Sequence, residues 1–206
     1  MAVLLSPLGL GQSISPGVKF GVNYAILVGA DVRNPSTQSI TTFNSGVYAT
    51  FHVGSLFDIQ PEVIYTRKGC KASADEMLFF GLNLHVEETA TISYLEIPVL
   101  LKLNIPFLST SLVRPTVFIG PSAAFVLKSK VEVEINGEVA PEQELSNLKS
   151  SDFGVILGVG VDFNVLSGII VTLDARYDLG LQSINTSNNP KDIKNKVMTI
   201  NAGIGF

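Results

Sequence analysis

The chain has no tryptophan, one cysteine, two histidines and few charges: Asp, Glu, Lys and Arg make up 16% of its 206 residues, against the usual quarter. Each shortage excludes something. Cys70 alone cannot form an intramolecular disulfide or build a cysteine-based metal cluster; it reads as an unpaired loop thiol. A net charge of −4 gives no electrostatic basis for binding nucleic acid. The longest apolar run, residues 153–161, has nine residues and includes three glycines, far short of the roughly 20 that a spanning helix needs. GxSxG, HExxH and phosphate-loop motifs are absent. No catalytic residue, cofactor site or metal site is therefore assigned, and no cofactor is expected.

Apolar side chains are nonetheless abundant. They make up 46% of the residues, and the mean hydropathy is +0.37. They are spread over short alternating blocks, the period of a β-strand. The first block sets Val18, Phe20, Val22, Tyr24 and Ile26 against Lys19, Gly21, Asn23 and Ala25. The next two set Val47, Ala49, Phe51 and Val53 against Tyr48, Thr50 and His52, then Ile59, Pro61, Val63 and Tyr65 against Gln60, Glu62 and Thr66. The fourth, Leu95 to Leu103, opposes Glu96 and Lys102, and the fifth, Val117 to Leu127, opposes Arg114, Thr116 and Gly120. The sixth runs from Phe153 to Phe163, and the seventh, Ile169 to Leu179, opposes Asp174, Arg176 and Asp178. The eighth carries Met198, Ile200, Ala202, Ile204 and Phe206 on one face and closes the chain. Most blocks approach the 9–11 residues with which a tilted strand crosses a bilayer, longer than the usual soluble strand.

The connections alternate in length. Residues 31–42, 68–90, 129–151 and 182–194 read as long polar loops, and 54–58, 105–113 and 165–168 as shorter turns. With an even strand number, the short connections gather at one end, as in outer-membrane barrels. Both termini then lie on the periplasmic side and the long loops are extracellular. Glu132, Glu134, Glu138, Glu142 and Glu144 fall in the third long connection and read as a solvated face; there Asn136-Gly137 signals a type I′ hairpin that carries the fifth strand onward as a ribbon.

A membrane barrel and a soluble lipocalin-like barrel share this alternation and differ in which face meets water. The polar face here is poor in charge and rich in Gly, Ser, Thr and Asn, unlike a water-exposed surface. Its charges also nearly balance: Lys19, Lys102, Arg114 and Arg176 against Glu62, Glu96 and Asp174, with Asp162 and Asp178 near strand ends. A closed eight-stranded interior requires such pairing, because an unpaired buried charge costs several kcal/mol. The expected fold is all-β: an eight-stranded antiparallel up-and-down transmembrane β-barrel over residues 16–206. Its interior charge network comprises Lys19, Glu62, Glu96, Lys102, Arg114, Asp174 and Arg176, with the inward Gly21, Gly46, Gly120, Gly158 and Gly160 making room for the long arms. Residues 1–15 read as the remnant of a secretory signal or a disordered leader.

Several phrases resemble one family. Residues 59–69 (IQPEVIYTRKG), 94–102 (YLEIPVLLK), Arg114-Pro115 with Gly120-Pro121, Asp152-Phe153-Gly154 with Gly158 and Gly160, and Asp174-Ala175-Arg176-Tyr177 are similar to strands of PorT-like outer-membrane β-barrel proteins. The resemblance spans nearly the whole chain. It implies an integral protein of the bacterial outer membrane and implies no chemistry. It also makes Phe206 a C-terminal signal for outer-membrane assembly. The partners expected are outer-membrane lipid, the barrel assembly machinery and an extracellular or periplasmic protein, with no nucleic acid. The leading function is non-enzymatic: structural, adhesive, or accessory to transport or secretion. The alternatives are a soluble ligand-binding barrel, a narrow pore, and an outer-membrane enzyme such as a lipid A deacylase, palmitoyltransferase or protease. An enzyme would need a base at the rim, for which only His52 and His85 are available, the latter beside Ser73 and Asp75 if the loop folds back.

Overall fold

The computed structural model describes residues 14–28, 37–77, 83–144, 148–166, 168–184 and 193–206. The strands are β1 (Ile14–Val28), β2 (Thr37–Val53), β3 (Phe57–Met77), β4 (Asn83–Asn104), β5 (Val113–Ile135), the two-residue β6 (Glu138–Val139), β7 (Ser151–Leu166), β8 (Ile169–Gly180) and β9 (Lys194–Gly205). All pairings are antiparallel, and the order β4-β3-β2-β1-β9-β8-β7-β5 closes by pairing β4 with β5. Eight long strands thus form a barrel with no free edge around its body. The closing strand pairs with the first over Gly17↔Gly205 to Val28↔Lys194, and the Phe206 amide donates to the Pro16 carbonyl at 2.8 Å.

Side-chain direction follows the alternation, with the polarity inverted relative to a soluble protein. Ile200 is 70% exposed and Val159 57%, whereas Lys19 is 4% and Glu62 1% exposed. The outside is a continuous apolar band. Large aromatics flank it at outward positions: Phe51, Phe57, Phe163 and Phe206 toward the short turns, and Tyr24, Phe43, Tyr65 and Phe153 on the opposite side. The stretch from Phe153 to Phe163 on β7 rises about 25 Å at ~3.3 Å per residue and ~40° tilt, the height of a bilayer's apolar band.

The short connections (Gly54 to Leu56, 105–112 with the 3₁₀ turn Pro106–Leu108, and the turn at Gly168) share one end with Ile14 and Phe206, the first and last described residues. The reading of 68–90 as a loop is corrected. Residues 68–77 and 83–90 are strand, paired from Lys68↔Ile92 to Met77↔Asn83, and β5 runs on to Ile135 against β4. Hairpin partners satisfied by a neighbour's ladder need no apolar alternation, so polar residues propagate the strands beyond the apolar band. Cys70 is accordingly a free thiol within β3, half-buried between Ser39 and Ala90, and not a loop residue. At the tip of the ribbon Asn136 and Gly137 both have positive φ, 50° and 89°, the geometry of a type I′ turn.

Candidate functional site

The barrel interior carries the chemistry, and β3 orders it. Its inward residues climb from the turn end to the loop end as Asp58, Gln60, Glu62, Ile64, Thr66 and Lys68, all buried. Each polar one meets groups from other strands. The central cluster joins Lys19, Glu62, Asp174 and Arg176. Lys19 Nζ lies 2.6 Å from Glu62 Oε1 and 3.3 Å from Asp174 Oδ2. Arg176 reaches Glu62 Oε2 at 2.9 Å and both Asp174 oxygens at 3.0 Å. Gln60 and Asn201 complete the shell, donating to Glu62 Oε1 at 2.6 Å and to Asp174 Oδ1 at 2.7 Å. Two cations and two carboxylates therefore neutralise one another, and every carboxylate oxygen has a donor.

Below this cluster, Lys102 Nζ lies 3.4 Å from Asp162 Oδ2, which also receives Arg114 Nη2 at 3.2 Å. Above it, Lys68 bridges Asp178 and Glu96, the latter at 3.3 Å. Of the residues named from the sequence, Lys19, Glu62, Asp174 and Arg176 thus come together directly, while Glu96 and the pair Lys102 and Arg114 belong to separate clusters. The alternation misses Lys68, Asp58 and Asp152. It places Lys68 in a loop, and Asp58 and Asp152 stand near the first positions of their strands, where alternation has no run behind it.

The turn end is tied by a chain across four strands. Ser15 Oγ lies 3.3 Å from His52 Nε2, His52 Nδ1 lies 2.7 Å from Asp58 Oδ1, and Asn104 Nδ2 donates to Asp58 Oδ2 at 3.1 Å. The loop end is closed by apolar contacts: Leu27, Ile92, Tyr94, Ala124 and Ile184 form a buried cluster that Leu148 and Ile193 cover. Backbone bonds from Lys149 to Ile184 and from Ile184 to Ile193 fix these segments over the mouth. Beneath them Asn195 Nδ2 donates to Asp152 Oδ2 at 2.8 Å and to the Tyr94 hydroxyl at 3.2 Å.

Little space is left between. Among the described residues, two cavities within the lumen measure about 20 Å³, beside Asn23, Thr66, Lys68 and Arg176, and about 10 Å³, beside Lys19, Lys102 and Asp162. A single water needs about 10–15 Å³. The inward glycines serve chiefly to admit neighbours. At Gly158 a Cβ would fall 2.5 Å from the Phe118 ring, and the Arg176 guanidinium lies 5.5 Å from the centre of that ring. His85 is on β4, opposite Asp75 in the ladder, and its amide donates to Asn136 Oδ1 at 3.0 Å.

Residues 10–185 match the outer membrane protein beta-barrel domain family. The chain belongs to that family. No curated protein matches it. Among solved structures, a major outer membrane protein from Thermus thermophilus has the same fold, with a TM-score of 0.50 at 14% identity over 94% of this chain and 100% of that one. OprG from Pseudomonas aeruginosa gives a TM-score of 0.46 at 13% identity, covering 94% of each chain. Ail, the attachment invasion locus protein of Yersinia pestis, gives 0.43 at 12% identity, over 93% of this chain and 98% of that one. The protein is an outer-membrane β-barrel of eight long strands, and the soluble lipocalin-like alternative is set aside by the family and by its outward apolar face.

Proposed function

We propose that this barrel is a non-enzymatic, PorT-like outer-membrane protein that works through the ribbon built by β3, β4 and β5, in a structural or adhesive role or as an accessory to transport or secretion. In this reading residues 1–15 are a leader, 16–206 the barrel domain, the short turns and both termini are periplasmic, and the ribbon faces the exterior. The observation that carries it is the closed interior. Among the described residues, the lumen is crossed by three ion-pair clusters, has cavities beside them that hold about one water each, and is capped by Ile184, which supports a shut interior. That leaves the surfaces at its ends to act, and the ribbon of β3, β4 and β5 extends beyond the apolar band there.

Two experiments test it. Purified barrel in planar bilayers is expected to give no steady single-channel steps; regular conductance would overturn the closed-lumen reading. A barrel lacking residues 131–149 is expected to insert normally and lose an envelope protein that co-purifies with the full chain. Identical co-purifying sets would remove the ribbon from the function.

A catalytic reading has one observation in its favour. Ser15, His52 and Asp58 have the connectivity of an acyl-transfer triad. The same chain also staples β1 to β2, β3 and β4, and Asp58 is shared with Asn104. Reaction of Ser15 with a fluorophosphonate probe, abolished by His52→Ala, would favour catalysis; an unlabelled Ser15 supports the staple.

A further inference from the structure

The outward face of β3, β4 and β5 carries a second organised group of polar side chains, outside the lumen. Tyr65, Leu95 and Phe125 are register partners across the three strands and form an outward row at the edge of the apolar band. One step toward the loop end, the next outward row is Arg67, Ser93 and Lys128; a β-bulge in β5 brings Lys128 opposite Ser93 and leaves the exposed Leu127 beside it as the last apolar residue of the band. Arg67 is not free to wander. Its Nε donates to the Tyr65 hydroxyl at 3.1 Å, and that hydroxyl donates to Ser93 Oγ at 3.2 Å. Its guanidinium carbon lies 4.8 Å from the Phe43 ring centre and 5.9 Å from that of Tyr65. Aromatic faces thus fix the guanidinium plane, and its two terminal amino groups remain as donors.

Lys128 is exposed on the same face. Arg67 and Lys128 are two strand spacings apart, about 10 Å, with the Ser93 hydroxyl between them. Carboxylates occur nearby and are engaged farther along: Glu87 pairs with Lys71, and Glu142 with Lys130. Glu132 and Glu134 stand closer still to the ribbon tip. Among the described residues, Arg67 and Lys128 have no carboxylate within ion-pair distance.

We infer that Arg67, Ser93 and Lys128 form a binding site for the phosphate of a membrane lipid whose acyl chains lie along Tyr65, Leu95 and Phe125. Depth selects the occupant. The row directly beyond an interfacial aromatic row sits at headgroup level, where lipid phosphates are. Charge and geometry agree: a fixed guanidinium offers a two-pronged donor pair to a phosphate, and a flexible ammonium closes from the far side. The site rests on the barrel's being in a bilayer and is independent of which end faces the cell exterior.

The test uses the folded full chain in detergent and native mass spectrometry. Phosphatidic acid is the probe, and diacylglycerol with the same chains is the phosphate-free control. Phosphatidic acid is expected to be retained, and Arg67→Gln with Lys128→Gln to weaken it by about tenfold or more, as loss of two charge-assisted contacts implies. Lys130→Gln, which removes the same single charge from the ribbon as Lys128→Gln, is expected to change retention by less than about twofold, where Lys128→Gln alone weakens it several-fold. Arg67→Lys is expected to fall between, because it keeps the charge and loses the fork. Heat-modifiable gel migration checks that each variant is folded, and Lys128→Gln alone serves if the double variant is not. Equal retention by the double variant, or equal retention of diacylglycerol, would overturn the site. Displacement of the lipid by millimolar inorganic phosphate would overturn the lipid assignment in favour of free phosphate.

Discussion

Replacing Glu62 by alanine is the most direct probe of the closed lumen. Glu62 is 1% exposed and takes donors from Lys19, Arg176 and Gln60. Removing one partner of a buried ion pair costs about 3–5 kcal/mol, because the other charge stays behind unsolvated. Here Lys19 and Arg176 both keep Asp174, at 3.3 Å and 3.0 Å. That places the expected loss near the low end, about 3 kcal/mol. Glu62→Gln keeps the shape and an acceptor while losing the charge, so about 1.5–3 kcal/mol is expected. In either variant the cluster carries one excess positive charge, which Lys19→Met in the same chain cancels. Lys19→Met with Glu62→Gln should therefore cost less than the sum of the singles by about 1–2 kcal/mol, since contacting buried charges couple. The assay is urea unfolding in lipid vesicles, read by the gel shift between folded and unfolded barrel. A Glu62→Ala barrel within about 0.5 kcal/mol of the parent, or strictly additive singles, would refute the view that this cluster is a tightly coupled buried unit.

If Phe206, which is 60% exposed and adjoins the seam between β1 and β9, is an assembly signal, deleting it should slow insertion into vesicles by assembly machinery while leaving urea stability of inserted barrel nearly unchanged; equal insertion rates would refute that proposal. Gly158→Val would set a Cβ 2.5 Å from both the Phe118 ring and the Ala175 carbonyl oxygen, so a loss of about 1–3 kcal/mol is expected; adding Phe118→Leu should recover only part of it, because the backbone contact stays, and full recovery would mean that the ring alone is the clash. Gly137→Val forces a β-branched residue to a φ of 89° at a cost of about 1–2 kcal/mol. It should raise protease cleavage at the ribbon tip without altering barrel unfolding.

Legibility from sequence followed the burial pattern. Where lipid faces one side and a packed lumen the other, period-2 alternation is obligatory, and the spanning part of every long strand could be read from it. Beyond the apolar band that constraint lapses. β3 and β4 continue through Lys71, Ser73, Glu87 and Glu88 because each pairs with a neighbour, and nothing in a polar run distinguishes a paired ribbon from a loop. The interior charges were legible as types and faces but not as pairs. Lys19 and Asp174 are far apart in sequence and meet only because β1 and β8 flank β9. Arg67 was invisible for another reason: a lone cation at a strand's outer face gains meaning only when Phe43 and Ser93, from two other strands, are beside it.

The shortage of charge and the closure of the barrel have one cause. In a lumen this narrow each ion is shared: Glu62 and Asp174 both serve Lys19 and Arg176, Asp162 serves Lys102 and Arg114, and Lys68 serves Asp178 and Glu96. Sharing lets a few side chains satisfy one another across strands that ladder bonds alone would leave unspecified. Added charge would lack a partner and incur desolvation, while apolar replacement would erase the distinction between inside and outside on which the register depends. A sparse, cross-linked interior is therefore what an eight-stranded barrel needs to hold one register and stay shut.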